Sequence, residues 1–276
     1  MKTIFFKPKN PLLQQYIEGY YFLTHTNDDE PVTYYTFPTN FNFVSLHENV
    51  ELFFDENTVR VQENQGSTFV CTLICNFRKP IRISYSGNIN EITISFKPLG
   101  LNAFLERPLQ TYTNDFFSEF AACPSFQEVF ISILNNENLE EKRELIENYW
   151  LSRLNGFQHP FLEEVINDLV NGAEEYSIAK LASKYQTSRQ NLTKQFELHL
   201  CKPPSLFKKI HRFRAALQLN LIKTPKETLT TLGYDLLFYD QSHLTKDFKS
   251  LTGFTLKMFF KNVSQLEEGK INWVFS

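Results

Sequence analysis

The sequence predicts an α+β protein of two domains: a β-rich sandwich or small barrel with helices packed on it, then an all-α domain with two helix-turn-helix units. Three observations predict this. Short runs rich in Phe, Tyr, Val, Ile and Thr, separated by turn formers, fill residues 32–97. From Leu101 onward apolar residues recur at helical spacing instead. Finally, Leu192-Thr193-Lys194-Gln195-Phe196 returns as Leu244-Thr245-Lys246-Asp247-Phe248, shifted by 52 positions. Repetition at a fixed offset marks a duplicated supersecondary unit. Cys201 aligns with Gly253 and Phe207 with Phe259 at the same offset.

In chain order, Asn10-Pro11 ahead of Leu12, Leu13, Tyr16 and Ile17 predicts a short capped helix. Strands are predicted at 32–37, 41–46, 51–54, 58–62, 67–76, 80–86 and 91–97. Ile81, Ile83 and Tyr85 alternate, as do Ile92, Ile94 and Phe96, and the intervening Ser86-Gly87-Asn88 suits a hairpin. Helical faces follow in Leu101, Phe104 and Leu105, in Phe126, Val129, Phe130, Ile133 and Leu134, and in Leu145, Ile146, Tyr149, Trp150 and Leu154. The Gly156 and Pro160 region stops the last of these, which places a linker at 156–160 between a first domain, 1–155, and a second, 161–264. Residues 265–276 read as a tail. Helices in the second domain are expected at 161–171, 177–184, 188–199, 204–222, 228–235, 240–251 and 255–262.

Charge divides the chain at the same place. Residues 1–175 hold 12 Lys and Arg against 24 Asp and Glu, a balance of −12, whereas residues 176–261 hold 15 against 5, a balance of +10. A domain so basic favours a polyanionic partner. No apolar run approaches the roughly 20 residues of a membrane span, and the first residues lack a secretory pattern, so a cytoplasmic protein is expected. The cysteines, Cys71, Cys75, Cys123 and Cys201, match neither a disulfide framework nor a zinc spacing and read as reduced thiols. The first half offers only His25 and His47 as imidazoles, so neither a metal nor a cofactor is expected, and nothing suggests an enzyme.

The repeated units carry the chemistry. With Ser188 as N-cap, Leu192 and Phe196 fall on one buried face, leaving Arg189, Gln190, Thr193, Lys194 and Glu197 outside. With Asp240 as cap, Leu244, Phe248 and Leu251 point inward, leaving Gln241, Ser242, Thr245, Lys246 and Lys249 outside. Such faces suit a major groove: Gln can pair with adenine, Lys with guanine acceptors, and Thr offers a hydroxyl or a methyl. Lys208, Lys209, Arg212 and Arg214 are expected to hold phosphates. A rod from Ser205 to Ile222, roughly 27 Å long at 1.5 Å per residue, would set the spacing of the two units.

These residues resemble the AraC/XylS transcriptional regulators over residues 161–262. The resemblance rests on Ile178-x-x-Leu181-Ala182, Ser188-x-x-x-Leu192-x-x-x-Phe196, Pro204-x-x-Phe207, Arg212-x-x-x-Ala216 and Phe238-x-Asp240-Gln241-Ser242-x-Leu244-x-x-x-Phe248-Lys249-x-x-x-Gly253. It implies a regulator of bacterial type that binds double-stranded DNA, reading bases through Gln190, Thr193 and Lys194 in one helix and Ser242, Thr245 and Lys246 in the other, with RNA polymerase as a partner. Four positions depart from the pattern: Gly233 stands for alanine, Leu237 and Cys201 for glycine, and Leu256 for proline. Phe96-Lys97-Pro98-Leu99-Gly100-Leu101 resembles the sheet-to-helix junction of the cupin-like sensor domains in this family, which implies a small-molecule effector or dimerisation. The helical stripe Leu145, Ile146, Tyr149, Trp150 and Leu154 supports a homodimer. The rival reading is a protein-interaction or anti-regulator role with a degenerate second unit.

Overall fold

The computed structural model describes every residue except 67, 172–175, 223–240, 256–257, 260–262, 266–271 and 276, and only the backbone of 219–222, 241–244, 263–265 and 272–275. Strands β1 (Lys2–Phe6), β2 (Ile17–His25), β3 (Val32–Thr36), β4 (Asn42–Glu48), β5 (Val50–Asp55), β6 (Thr58–Glu63), β7 (Phe69–Ile74), β8 (Ile81–Ser86), β9 (Ile89–Phe96) and β10 (Phe117–Glu119) come first. Late in the chain β11 (Val263–Gln265) and β12 (Asn272–Phe275) follow. They form two six-stranded sheets, ordered β1-β2-β9-β4-β7-β10 and β11-β12-β3-β8-β6-β5. Pairing is antiparallel throughout the described strands except between β6 and β8. The domain is thus a sandwich.

Side-chain alternation in the first sheet serves two different cores. Val44 and Leu46 on β4, with Ile92, Ile94 and Phe96 on β9, face the helices α1 (Phe126–Leu134) and α2 (Leu139–Arg153). Phe43, Ser45 and His47 point the other way, toward the second sheet. Trp150 of α2 is fully buried, with its ring 5.0 Å from Phe96 and 5.2 Å from Phe104. Such burial contributes on the order of 1.5–3 kcal/mol per large apolar side chain. Asn138 caps α2, its side chain accepting from the Glu140 and Glu141 amides at 3.0 and 3.3 Å.

Beyond the linker come α3 (Leu162–Asn171), α4 (Ile178–Lys184), α5 (Arg189–Leu200), α6 (Pro204–Ile222) and α7 (Gln241–Thr252). Leu162, Val165, Leu181, Ala182, Leu192, Phe196 and Leu200 close a first core onto Phe207 of α6. Farther along the same helix, Ile210, Phe213 and Leu217 close a second core with Phe248, Leu251 and Phe259. The expected helix at 228–235 lies outside the described residues.

Several expectations need correction. Residues 17–25 form a central strand rather than the end of a helix, and only a 3₁₀ turn, Leu13–Gln15, precedes them. β2 is covered on both faces, so its near-continuous burial shows no alternation for a pattern to detect. Ser86-Gly87-Asn88 is not a hairpin. β8 and β9 lie in different sheets, and this turn is the corner between them, with Gly87 at φ 84° against Glu63. The stripe expected to dimerise is mostly core: Ile146 and Trp150 are 0% exposed and Tyr149 is 8% exposed, leaving Leu145 outside. The segment read as a tail supplies β12, which pairs with β3 through Val274↔Tyr35 and Phe275↔Tyr34.

The junction at Pro98-Leu99-Gly100 shows why its residues are specified. Leu99 adopts φ 64°, and a Cβ on Gly100 would lie 2.1 Å from the Tyr16 carbonyl oxygen. Only glycine permits that approach.

Candidate nucleic-acid interface and the cavity behind it

Both repeated words lie on helices, and the described side chains fall on the predicted faces; those of Gln241 and Leu244 lie outside the described residues. In α5 the Ser188 hydroxyl accepts from the Asn191 amide at 3.0 Å, fixing the start of the helix. Leu192 and Phe196 are 0% exposed, while Arg189, Gln190 and Lys194 lie in solvent and Thr193 is half-buried beside them. In α7, Phe248 and Leu251 are buried and Thr245, Lys246 and Lys249 are exposed. The backbone of Ser242 belongs to the first turn of α7, but its side chain lies outside the described residues, as do Gly233, Leu237, Asp240 and Leu256.

The cations expected to hold phosphates have other work. The Lys208 ammonium donates to the Tyr176 carbonyl at 3.0 Å. Lys209 and Arg212 both grip Asp247, at 3.1 and 3.5 Å. Asp247 is the one residue of the repeated word that differs in kind from its counterpart, and this double ion pair bolts α7 to α6. Gln195, its counterpart in α5, instead meets His159 at 3.2 Å and Asn191 at 3.3 Å. Arg214 turns away from any DNA face: its Nε donates to the Pro38 carbonyl at 2.9 Å and its Nη2 to Phe37. Burial pushes this guanidinium down to about 10, against a smaller opposing pull from Tyr21, so it remains charged at neutral pH.

Sequence reasoning missed the bridge between the domains at the far end of α5. Asn102, in the 3₁₀ turn Gly100–Phe104, donates from Nδ2 to the His199 carbonyl at 2.9 Å, and its Oδ1 meets His199 Nδ1 at 3.1 Å. Burial first and His159 second hold His199 down to about 4. The ring is therefore neutral at pH 7, with Nδ1–H as the donor. These residues are 97 positions apart, and no local pattern links them.

Behind the helices lies a cavity of about 600 Å³, open between the two sheets and reaching the helical domain. Its walls include Tyr21, Phe43 and Ile83 from the sandwich, Ile166 and Val170 from α3, and His211 and Arg214 from α6. A polar cluster sits on one wall. Glu91 accepts from His47 Nε2 at 3.0 Å, the Tyr85 hydroxyl at 2.7 Å, the Ser45 hydroxyl at 3.0 Å and the Thr93 hydroxyl at 2.6 Å. Burial pushes the Glu91 carboxyl up, but the His47 charge together with hydrogen bonds from His47, Thr93 and Tyr85 outweighs it, holding the group down to about 2. Four donors occupy the carboxylate, so its acceptor capacity is filled. Four atoms of lining residues are left over: Thr3 Oγ1, Asn40 Oδ1, His47 Nδ1 and Thr72 Oγ1 are buried without a hydrogen-bond partner among the described residues. An apolar chamber with a few convergent polar groups has the make-up of a small-molecule site. Sequence showed its aromatic content but not its empty volume.

No helix among the described residues is long and apolar enough to cross a membrane. Residues 5–118 match a family model described as "Domain of unknown function (DUF6597)". No curated protein matches. Among solved structures the chain is similar to ToxT from Vibrio cholerae at 14% identity, with a TM-score of 0.44, covering 87% of this chain and 98% of that one. ToxT from Vibrio cholerae O395 gives 14% identity and a TM-score of 0.41, over 87% and 97% of the two chains. The same protein bound to (E)-4-(8-methylnaphthalen-1-yl)but-3-enoic acid gives 14% and 0.42, over 87% and 98%.

Proposed function

We propose that this chain is a sequence-specific DNA-binding transcription regulator of the AraC/XylS type, reading duplex DNA with α5 and α7. One observation carries the reading. Two helices bearing nearly the same word both bury its Leu or Phe anchors and expose its Lys, and both pack on one shared helix, α6. A helix-turn-helix protein that dimerises places its recognition helices about one turn of the duplex, roughly 34 Å, apart; two units in one chain meet that need within a single polypeptide. Arg189, Gln190, Thr193 and Lys194 read one groove segment, and Ser242, Thr245, Lys246 and Lys249 the next. The sandwich cavity takes a small effector. Because α3 and α6 form part of its wall, an occupant touches the helical domain directly.

Selection of bound fragments from genomic DNA supplies the operator for the test. Lys194→Ala and Lys246→Ala are each expected to weaken operator binding and alter base preference, measured by footprinting, by about 1–3 kcal/mol if the lysine pairs with a base. The logarithm of affinity should fall steeply with the logarithm of salt concentration. Unchanged footprints in both variants, or a flat salt response, would remove the reading and favour a protein-interaction role.

A further inference from the structure

At the one position where the repeated words differ in kind, each helix finds a different anchor. In α5, Gln195 meets His159 of the linker at 3.2 Å. In α7, Asp247 meets α6 instead: its Oδ1 lies 3.1 Å from the Lys209 ammonium, and its Oδ2 accepts from Arg212 Nη2 at 3.5 Å. These three side chains are 25–28% exposed, so they lie at the rim of the core rather than in it.

The apolar contacts of α7 hold it against α6 without fixing its direction. Phe248 and Leu251 are buried with Ile210, Phe213 and Leu217, and hydrophobic attraction is non-directional. The ion pairs supply what that contact lacks. Lys209 and Arg212 stand three residues apart and are therefore neighbours on one side of α6. Each takes a different oxygen of one short side chain. A carboxylate held at two points cannot roll with its helix unless a bond breaks. Asp247 also stands between the exposed Lys246 and the buried Phe248. Successive residues of a helix are about 100° apart, which puts Asp247 on the flank between the outward face and the core face. Any roll of α7 about its own axis swings Lys246 and Lys249 through the same angle.

We propose that Asp247 is the positioning residue of α7. By gripping Lys209 and Arg212 it fixes the roll of α7 on α6, and with it the place, relative to α5, at which Thr245, Lys246 and Lys249 are presented. Asp247 acts through α6. The consequence for groove reading rests on the regulator function proposed above, whereas the fixed roll stands without DNA.

The test has one arm without DNA and one with it. In the full chain with Cys123→Ser, whose other thiols are buried, Glu197→Cys and Ser250→Cys place spin labels at exposed positions of α5 and α7. Double electron–electron resonance should give one narrow label distance for this parent, a broadened distribution for Asp247→Asn, and a narrow one again for Asp247→Glu, which keeps the charge. The α7 amides of Asp247→Asn should stay protected from hydrogen exchange, because the helix and its apolar contacts remain. Equal widths in the parent and Asp247→Asn, or loss of α7 protection, would overturn the proposal. In the second arm, unlabelled Asp247→Asn should bind operator fragments selected from genomic DNA roughly fivefold more weakly, the scale of one or two exposed ion pairs. It should also lose less affinity than the unlabelled parent when one base pair is inserted between the two segments. An equal penalty for the insertion in both chains would overturn the proposal as well. If the label distances broaden as expected and neither chain binds DNA, the regulator function falls and the positioning of α7 by Asp247 stands.

Discussion

At the scale of single residues, two positions at the end of α5 set measurable properties. His199 is neutral in the folded chain down to about pH 4, whereas an ordinary imidazole takes its proton near 6.5. Between those values the unfolded chain binds the proton that the native state refuses. The resulting stability is complete above pH 6.5 and is lost as pH falls through 4, amounting to about 2 kcal/mol between pH 7 and pH 5. Urea unfolding at the two pH values is expected to show this loss, and His199→Gln should flatten most of it. Cys201→Gly is expected to raise stability by about 1 kcal/mol, because glycine adopts φ 56° without strain; a melting midpoint lower than that of the parent would contradict it. The oddity of Cys201 was legible in sequence as a cysteine standing where the resemblance wants glycine. The buried cluster that it joins was not, because the other members come from the first 150 residues of the chain. The same reason hid Asn102, and it hid the Glu91 cluster, whose members approach only when β4, β8 and β9 are assembled.

At the scale of elements, α6 is the part on which most depends. This 19-residue helix serves both cores, Phe207 in the first and Phe213 in the second. Phe213 meets Phe248 at 5.1 Å, and Phe248 meets Phe259 at 5.0 Å, both edge to face. Phe213→Ala should therefore cost about 3–5 kcal/mol of folding stability, measurable by chemical denaturation, and loosen α7 before α5. Phe207→Ala should reverse that order, as read by hydrogen exchange on the two helices. Helical period made these elements readable: α3 to α6 lie within a residue of the expected spans. Strands buried on one face, such as β8, were equally readable. The elements that sequence misplaced share a physical cause. β2 is buried on both faces, β1 and β10 are edge strands recruited by neighbours, and the turn after β8 takes the same residues whether it makes a hairpin or a corner between sheets. The basic stripe of α6 misled for a related reason, since composition cannot distinguish a lysine facing a phosphate from one gripping Asp247.

At the scale of the whole molecule, the two domains are joined by more than the linker. Arg214 reaches from α6 to the carbonyls of Phe37 and Pro38, Phe37 enters the core of the second unit with its ring 4.9 Å from Phe259, and Lys202 reaches Thr39. Residues 37–39 thus form a plug between β3 and β4 that the helical domain encloses. Arg214→Ala leaves two carbonyls without their donor at a cost of about 1–3 kcal/mol, and it is expected to split a single urea transition, followed by fluorescence and by helical circular dichroism, into two. A single coincident transition in the variant would contradict this coupling. Charge division and repetition revealed that two domains exist, but this contact depends on side chains from distant segments meeting, which neither periodicity nor composition records.

The pairing of β12 with β3 changes what kind of attachment the helical domain has. The chain leaves the sandwich after α2 and comes back to it at β12, so the helices are an insertion with two roots rather than an appendage on one stalk. An appendage can swivel in any direction. Two chain connections, beside the contacts at residues 37–39 and at Asn102, leave the helices little freedom to swivel against the sheets.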